Sequence, residues 1–256
     1  MRDFTLSTYG KLLSGLKRSG YEFLTLNEAC KGGYSGRYVV LRHDVDRKPE
    51  NALRMAVFEK EHGVVATYFF RIKKSVFDEG VIRRISEMGH EAGYHYEDLT
   101  THNGNREEAV KSFIRNVERL RKIVPVTTVS MHGKPLSGID NRELLQRIDL
   151  KELGILCEPY SFVEKNKLVY LTDVGRTWNN GAVNLRDKVM GQGDMHLKTT
   201  FDVIRALSDD LSGKNLMLNI HPERWEERLM PWLRNAVWQR IKNTGKYILI
   251  NFRHGS

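Results

Sequence analysis

Short β-rich apolar runs alternate with helix-length stretches along this chain, and that alternation limits the fold more than any other feature. Residues 38–41, 64–70, 127–129, 168–171, 216–220 and 247–252 read as buried strands. Ser7 is expected to cap a first helix with Tyr9, Leu12, Leu13 and Leu16 on one face. Pro49 suits the start of a second helix, which turns Leu53, Ala56 and Val57 inward and stops at Gly63. Further helices are expected over 81–88, 106–122, 199–211 and 228–241. Strands separated by helices of ~10–15 residues imply βαβ units and a parallel sheet, either open or closed into a barrel.

The chain has 256 residues, which fits one large α/β domain spanning 1–256. With 40% hydrophobic and 29% charged residues, it has the composition of a folded protein and not of a disordered one. No apolar run reaches ~18 residues, so no transmembrane helix is expected. The first 25 residues hold no uninterrupted apolar core of a secretion signal. The two cysteines, Cys30 and Cys157, show no pairing signature, so a reduced, cytoplasmic protein is expected. The net charge of +9 raises the odds of an anionic partner, with a merely basic surface as the plainer reading, and the basic residues form no run or basic–aromatic platform that would mark a nucleic-acid binder.

Chemistry concentrates where strands end. Asp44 and Asp46 follow the first run, His95 a short stretch ending at Tyr94, His132 the 127–129 run, Asp173 the 168–171 run and His221 the 216–220 run. In parallel α/β folds the carboxyl ends of strands share one face, and ligands bind there. Two carboxylates at i and i+2 lie on one side of an extended chain and suit a divalent cation with a neighbouring base. Imidazole and carboxylate are also the usual ligands of catalytic zinc. Near this face, Asp173 can orient a histidine, Arg176 can bind an anionic group and Trp178 can stack on a sugar or a base. His90 follows a helix end and reads as structural.

Four segments in order give a family resemblance. Arg42-His43-Asp44-Val45-Asp46 is similar to a Thr-Phe-Asp-Asp strand end. Ala66-Thr67-Tyr68-Phe69-Phe70 is similar to an Ala-Thr-Phe-Phe strand. Gly89-His90-Glu91-Ala92-Gly93-Tyr94-His95 is similar to Gly-His-Glu-Ile-Gly-Asn-His, and Leu218-Asn219-Ile220-His221 to Leu-x-x-His. Together they resemble the polysaccharide deacetylase, or NodB-homology, family over about residues 38–225.

The resemblance implies a distorted (β/α) barrel of about seven strands and metal-dependent removal of an N-acetyl group from a sugar. It makes Asp44 the base, Asp46 and His95 metal ligands and His221 the acid. Zinc is the expected ion, with nickel, cobalt or manganese as alternatives. The family's second histidine ligand falls on Leu99, which binds no metal. Glu97 is expected in its place, with Asp98, His102 and His132 as the other donors to consider. The family's Arg-x-Pro motif is replaced near Ser130-Met131-His132-Gly133-Lys134-Pro135, which leaves the group that orients the base open. The expected setting is surface polysaccharide or glycolipid synthesis, with an N-acetylated sugar on an anionic carrier as substrate. The rival readings are a hydrolase of another amide C–N bond and an inactive carbohydrate-binding homologue.

Overall fold

The structure is a computed structural model that describes residues 2–133, 137–178 and 197–254, with side chains up to residue 245. In chain order its elements are α1 (Leu6–Arg18), β1 (Glu22–Leu24), α2 (Leu26–Lys31), β2 (Tyr38–Val45), α3 (Pro49–Glu61), β3 (Thr67–Phe70), α4 (Glu79–Glu87) and β4 (Glu91–Tyr96). Then follow α5 (Asp98–Thr101), α6 (Arg106–Arg121), β5 (Val129–Met131), α7 (Pro159–Asn166), β6 (Val169–Thr172), α8 (Thr200–Ala206), β7 (Leu216–Ile220) and α9 (Leu229–His254).

The seven strands form one parallel sheet in the order β5-β4-β3-β2-β7-β6, with β1 beside the first half of β2. The sheet curls into a half-barrel with helices around it, in line with the expected distorted (β/α) barrel. It does not close: β5 and β6 end the hydrogen-bonded order among the described residues.

Central strand β2 is buried at all eight positions, so both its faces must be covered. Alternation sorts its polar residues. His43 turns outward, where its Nε2 meets Glu59 Oε1 of α3 at 2.7 Å, and Tyr9 of α1 and Tyr68 also donate to that carboxylate. Arg42 and Asp44 turn into the curl. The outward network ties α1 and α3 to the sheet through a fully buried, fully hydrogen-bonded acid, while the apolar core fills the space around it.

Local signals explain most element starts. Thr5 caps α1 by accepting from the Thr8 N–H, so the cap lies two residues before the expected Ser7. Thr25 with Glu28, and Thr199 with Asp202, form reciprocal capping boxes at α2 and α8. Pro49 opens α3 as expected, but that helix buries Ala52, Met55, Ala56 and Glu59, and Val57 is exposed. Helix α8 ends at Ala206, earlier than the expected residue 211.

Two expectations are overturned. Residues 247–252, read as a last strand, lie inside helix α9. A six-residue, mostly apolar run has no periodicity that separates strand from helix, and the preceding helix simply continues through it. Cys30 and Cys157, expected as free thiols, form a disulfide across 127 positions. The fold brings α2 against the chain after β5, where Cys157 pairs next to Thr128. A stable disulfide belongs to an oxidising compartment, so this bond weighs against the reduced environment expected from sequence. Among the described residues, no helix is long and apolar enough to cross a membrane.

Candidate metal centre and active site

Asp44 sits at the carboxyl end of β2, inside the curl and 2% exposed. Arg42, two residues earlier on the same strand and so on the same face, donates from Nε to Oδ1 at 2.9 Å and from a terminal nitrogen to Oδ2 at 2.8 Å. Asn219, paired with Arg42 across β2 and β7, donates to Oδ2 at 3.2 Å. Burial by itself raises the Asp44 carboxyl, but Arg42, with His95 and His221, drives it well below the usual carboxylate range. Asp44 is therefore held ionised and in one orientation. The signal for Arg42 in the sequence is its place two residues before Asp44 on a strand.

His95 ends β4. Its Nδ1–H donates to the Ser130 carbonyl oxygen at 3.0 Å, which leaves Nε2 as a free acceptor. Nε2 stands 3.6 Å from both Asp44 Oδ2 and Asp46 Oδ1. Burial lowers the His95 pKa to about 4, so the ring is neutral near pH 7 and able to bind a metal.

His132 completes the group. The Tyr96 carbonyl accepts from the His132 N–H at 2.8 Å, so the β4–β5 ladder runs on past Met131 and sets His132 beside His95. The two rings lie 5.2 Å apart and perpendicular. His132 Nε2 is 3.3 Å from Asp46 Oδ1. Ligand-type atoms of Asp46, His95 and His132 all fall within 4.8 Å of one another.

Glu97, the expected third ligand, lies behind this group. Arg71 binds both its oxygens at 2.7–2.9 Å, Lys73 approaches at 3.0 Å, and Oε2 stands 3.3 Å from His132 Nδ1. A carboxylate behind a histidine fixes the ring and raises its basicity. Leu99 is buried in the core, and Asp98 is taken up by Tyr94, Ser112 and Asn116. Of the residues 130–135 at the replaced motif, Lys134 and Pro135 lie outside the described residues.

Three observations test whether a divalent ion fits. Asp46 Oδ1 is buried without a hydrogen-bond partner, which costs free energy unless a cation or water meets it. The donor set of two imidazoles and one carboxylate is that of catalytic zinc sites. Ligands about 2.1 Å from a tetrahedral ion are about 3.4 Å from one another, and the observed separations from Asp46 Oδ1 are 3.3 and 3.6 Å. The residues fit the ion.

His221 follows β7. Its Nδ1–H donates to Asp173 Oδ1 at 2.7 Å and its backbone N–H to Oδ2 at 3.1 Å. Asp173 also accepts from Arg224 at 2.6 Å and from Trp225 Nε1 at 2.9 Å. Burial and Arg224 both oppose a charged imidazole, yet the buried Asp173 carboxylate outweighs them and raises the His221 pKa to about 9. The remaining two expected residues stand elsewhere. Arg176 stacks on Phe4 and Trp232. Trp178 is buried against Trp225 and donates to Thr200 Oγ1, so it presents no face for sugar stacking.

No family model and no curated protein matches the chain. Among solved structures it is similar to a family 4 carbohydrate esterase from Bacillus anthracis, at 18% identity and a TM-score of 0.41, over 93% of this chain and 86% of that one. It is also similar to the peptidoglycan deacetylase PdaC from Bacillus subtilis, in a mutant form, at 16% identity and a TM-score of 0.38, over 80% of this chain and 93% of that one. Likeness at this level assigns no function. The functional reading stands on the residues at the strand ends.

Proposed function

We propose that this protein is a divalent-metal-dependent hydrolase that removes an N-acetyl group from a sugar, in the synthesis of a surface polysaccharide or glycolipid. One observation carries the reading: His95 Nε2 lies equally close to an ionised Asp44 and to Asp46, with His132 as third donor. Asp46, His95 and His132 are the residues that would hold the ion, with zinc favoured by the two imidazoles. When bound there, a divalent cation supplies Lewis acidity, lowering the pKa of water and polarising the amide oxygen.

The chain's own groups supply the proton transfers. Asp44 is kept ionised by Arg42 and aimed by Asn219, so it can take a proton from the attacking water. His221 carries a proton near pH 7 because Asp173 stabilises the cation, so it can protonate the leaving nitrogen. The two environments keep Asp44 ionised and His221 protonated near pH 7, the two states in which a carboxylate can accept a proton and an imidazolium can donate one. Glu97 steadies His132 and takes no part in proton transfer.

Acetate release from a panel of N-acetyl sugars by zinc-loaded protein tests this function. Release that is lost in Asp44→Asn supports it. Retention of the metal with no release from any sugar, but hydrolysis of another amide, favours the first rival. Retention with no hydrolysis at all favours the binding protein.

A further inference from the structure

Between the edge of the candidate active site and helix α9 lies a cavity of about 710 Å3. Its inner wall includes Arg47, the residue after Asp46, and Glu223 and Arg224, which follow His221 by two and three positions. Its outer wall is α9. Six basic side chains line the cavity against one carboxylate, Glu223, among the described residues. Arg224 is engaged by Asp173, Arg176 stacks on Phe4 and Trp232, and Lys242 sits over Trp238. Arg47, Lys48 and Arg234 have no ion-pair partner among the described residues.

The same cavity is lined along α9 by an apolar stripe. Met230, Leu233, Val237, Trp238 and Ile241 recur at helical spacing, and all are exposed, Met230 by 73% and Trp238 by 53%. Exposed apolar surface beside unpaired cations calls for a ligand that is both anionic and apolar. A free sugar is neither. A second copy of the chain would bring +9 against +9. A flat membrane surface meets the helix but does not fill a cavity whose inner wall is Arg47, Glu223 and Arg224.

We propose, building on the hydrolase reading, that this cavity holds the carrier of the substrate: a phosphate that joins the sugar to a long-chain lipid. The phosphate lies on Arg47, Lys48 and Arg234, and the chain runs along Val237, Trp238 and Ile241. Arginine suits phosphate through its fork of donors.

The test is a titration of the full chain with monomeric farnesyl phosphate, followed by tryptophan fluorescence. Farnesol and inorganic phosphate serve as the two halves of the probe. The expected result is binding of farnesyl phosphate at least tenfold tighter than of either half. The double variant Arg47→Ala, Arg234→Ala and the single variant Val237→Asp each weaken it at least tenfold, and Arg234→Lys restores part of the loss. Asp44→Asn, which disables hydrolysis, leaves binding unchanged, so failure of the catalytic reading is separable from failure of this one. Equal affinity for farnesol and farnesyl phosphate overturns the proposal. So does binding to phosphatidylglycerol vesicles without affinity for the monomeric probe, which assigns the stripe to a membrane surface. A dimer that Val237→Asp dissociates also overturns it.

Discussion

Arg42 grips Asp44 from two residues back on the same strand, with bonds of 2.9 and 2.8 Å to its two oxygens. Both side chains are almost fully buried, so neither is replaceable by water. Breaking a buried pair by removing one partner costs about 3–5 kcal/mol, because the other charge is left uncompensated. Arg42→Met is expected to lose that much in urea unfolding. Arg42→Lys keeps the charge but loses the fork, so Asp44 is held down less firmly. The acid limb of its pH–rate profile is expected at higher pH than in the parent, with activity at least tenfold lower.

The Asp173–His221 pair sets the alkaline behaviour. Asp173 raises the folded-state pKa of His221 to about 9, above its ordinary 6.5. The pair's contribution to stability through His221 is therefore full below pH 6.5 and is lost as pH rises through about 9. Activity that needs the protonated ring falls over the same upper range. Asp173→Asn removes the charge that holds the proton, and its alkaline limb is expected at least one unit lower in a kcat/KM profile.

Gly93 lies two residues before His95 on β4. A Cβ there would stand 2.5 Å from the Phe69 ring and 2.8 Å from the Thr128 carbonyl oxygen. The ring can give a little, but the backbone oxygen belongs to the chain leading into β5. Gly93→Ala is expected to cost about 1–3 kcal/mol by overpacking. The His95–His132 approach is also expected to loosen, read as weaker zinc retention in the folded variant.

The Cys30–Cys157 bond closes a long loop between α2 and the chain after β5. Removing such a bond costs about 2–5 kcal/mol. Denatured protein, kept non-reducing, is expected to show no titratable thiol, and Cys30→Ser with Cys157→Ser to melt at a lower temperature. Two free thiols in freshly isolated protein would favour the reduced, cytoplasmic setting instead.

The strand-end residues were legible in the sequence because each follows an apolar run, and a parallel sheet gathers such ends on one face. Asp44, Asp46, His95 and His221 came from that rule and the motif resemblance together. In the sequence, nearness to His95 and a hard oxygen donor favour Glu97 over His132. The β4–β5 register, which no single strand reveals, sets His132 beside His95. The cysteine pairing is tertiary in the same way, as 127 positions separate the partners. Strand β4 is only half legible in the sequence because Glu-Ala-Gly-Tyr-His-Tyr has no β-branched residue.

Metal content is the most direct test of the central claim, that Asp46, His95 and His132 share one ion. After zinc loading and exhaustive buffer exchange, the parent is expected to retain about one equivalent, and His95→Ala and His132→Ala under ~0.1. Glu97→Gln is expected to keep the ion with about 10–100-fold weaker affinity, since it supports a ligand and is not one. A parent that retains no zinc, or a His132→Ala variant that binds it as tightly as the parent, would contradict the account.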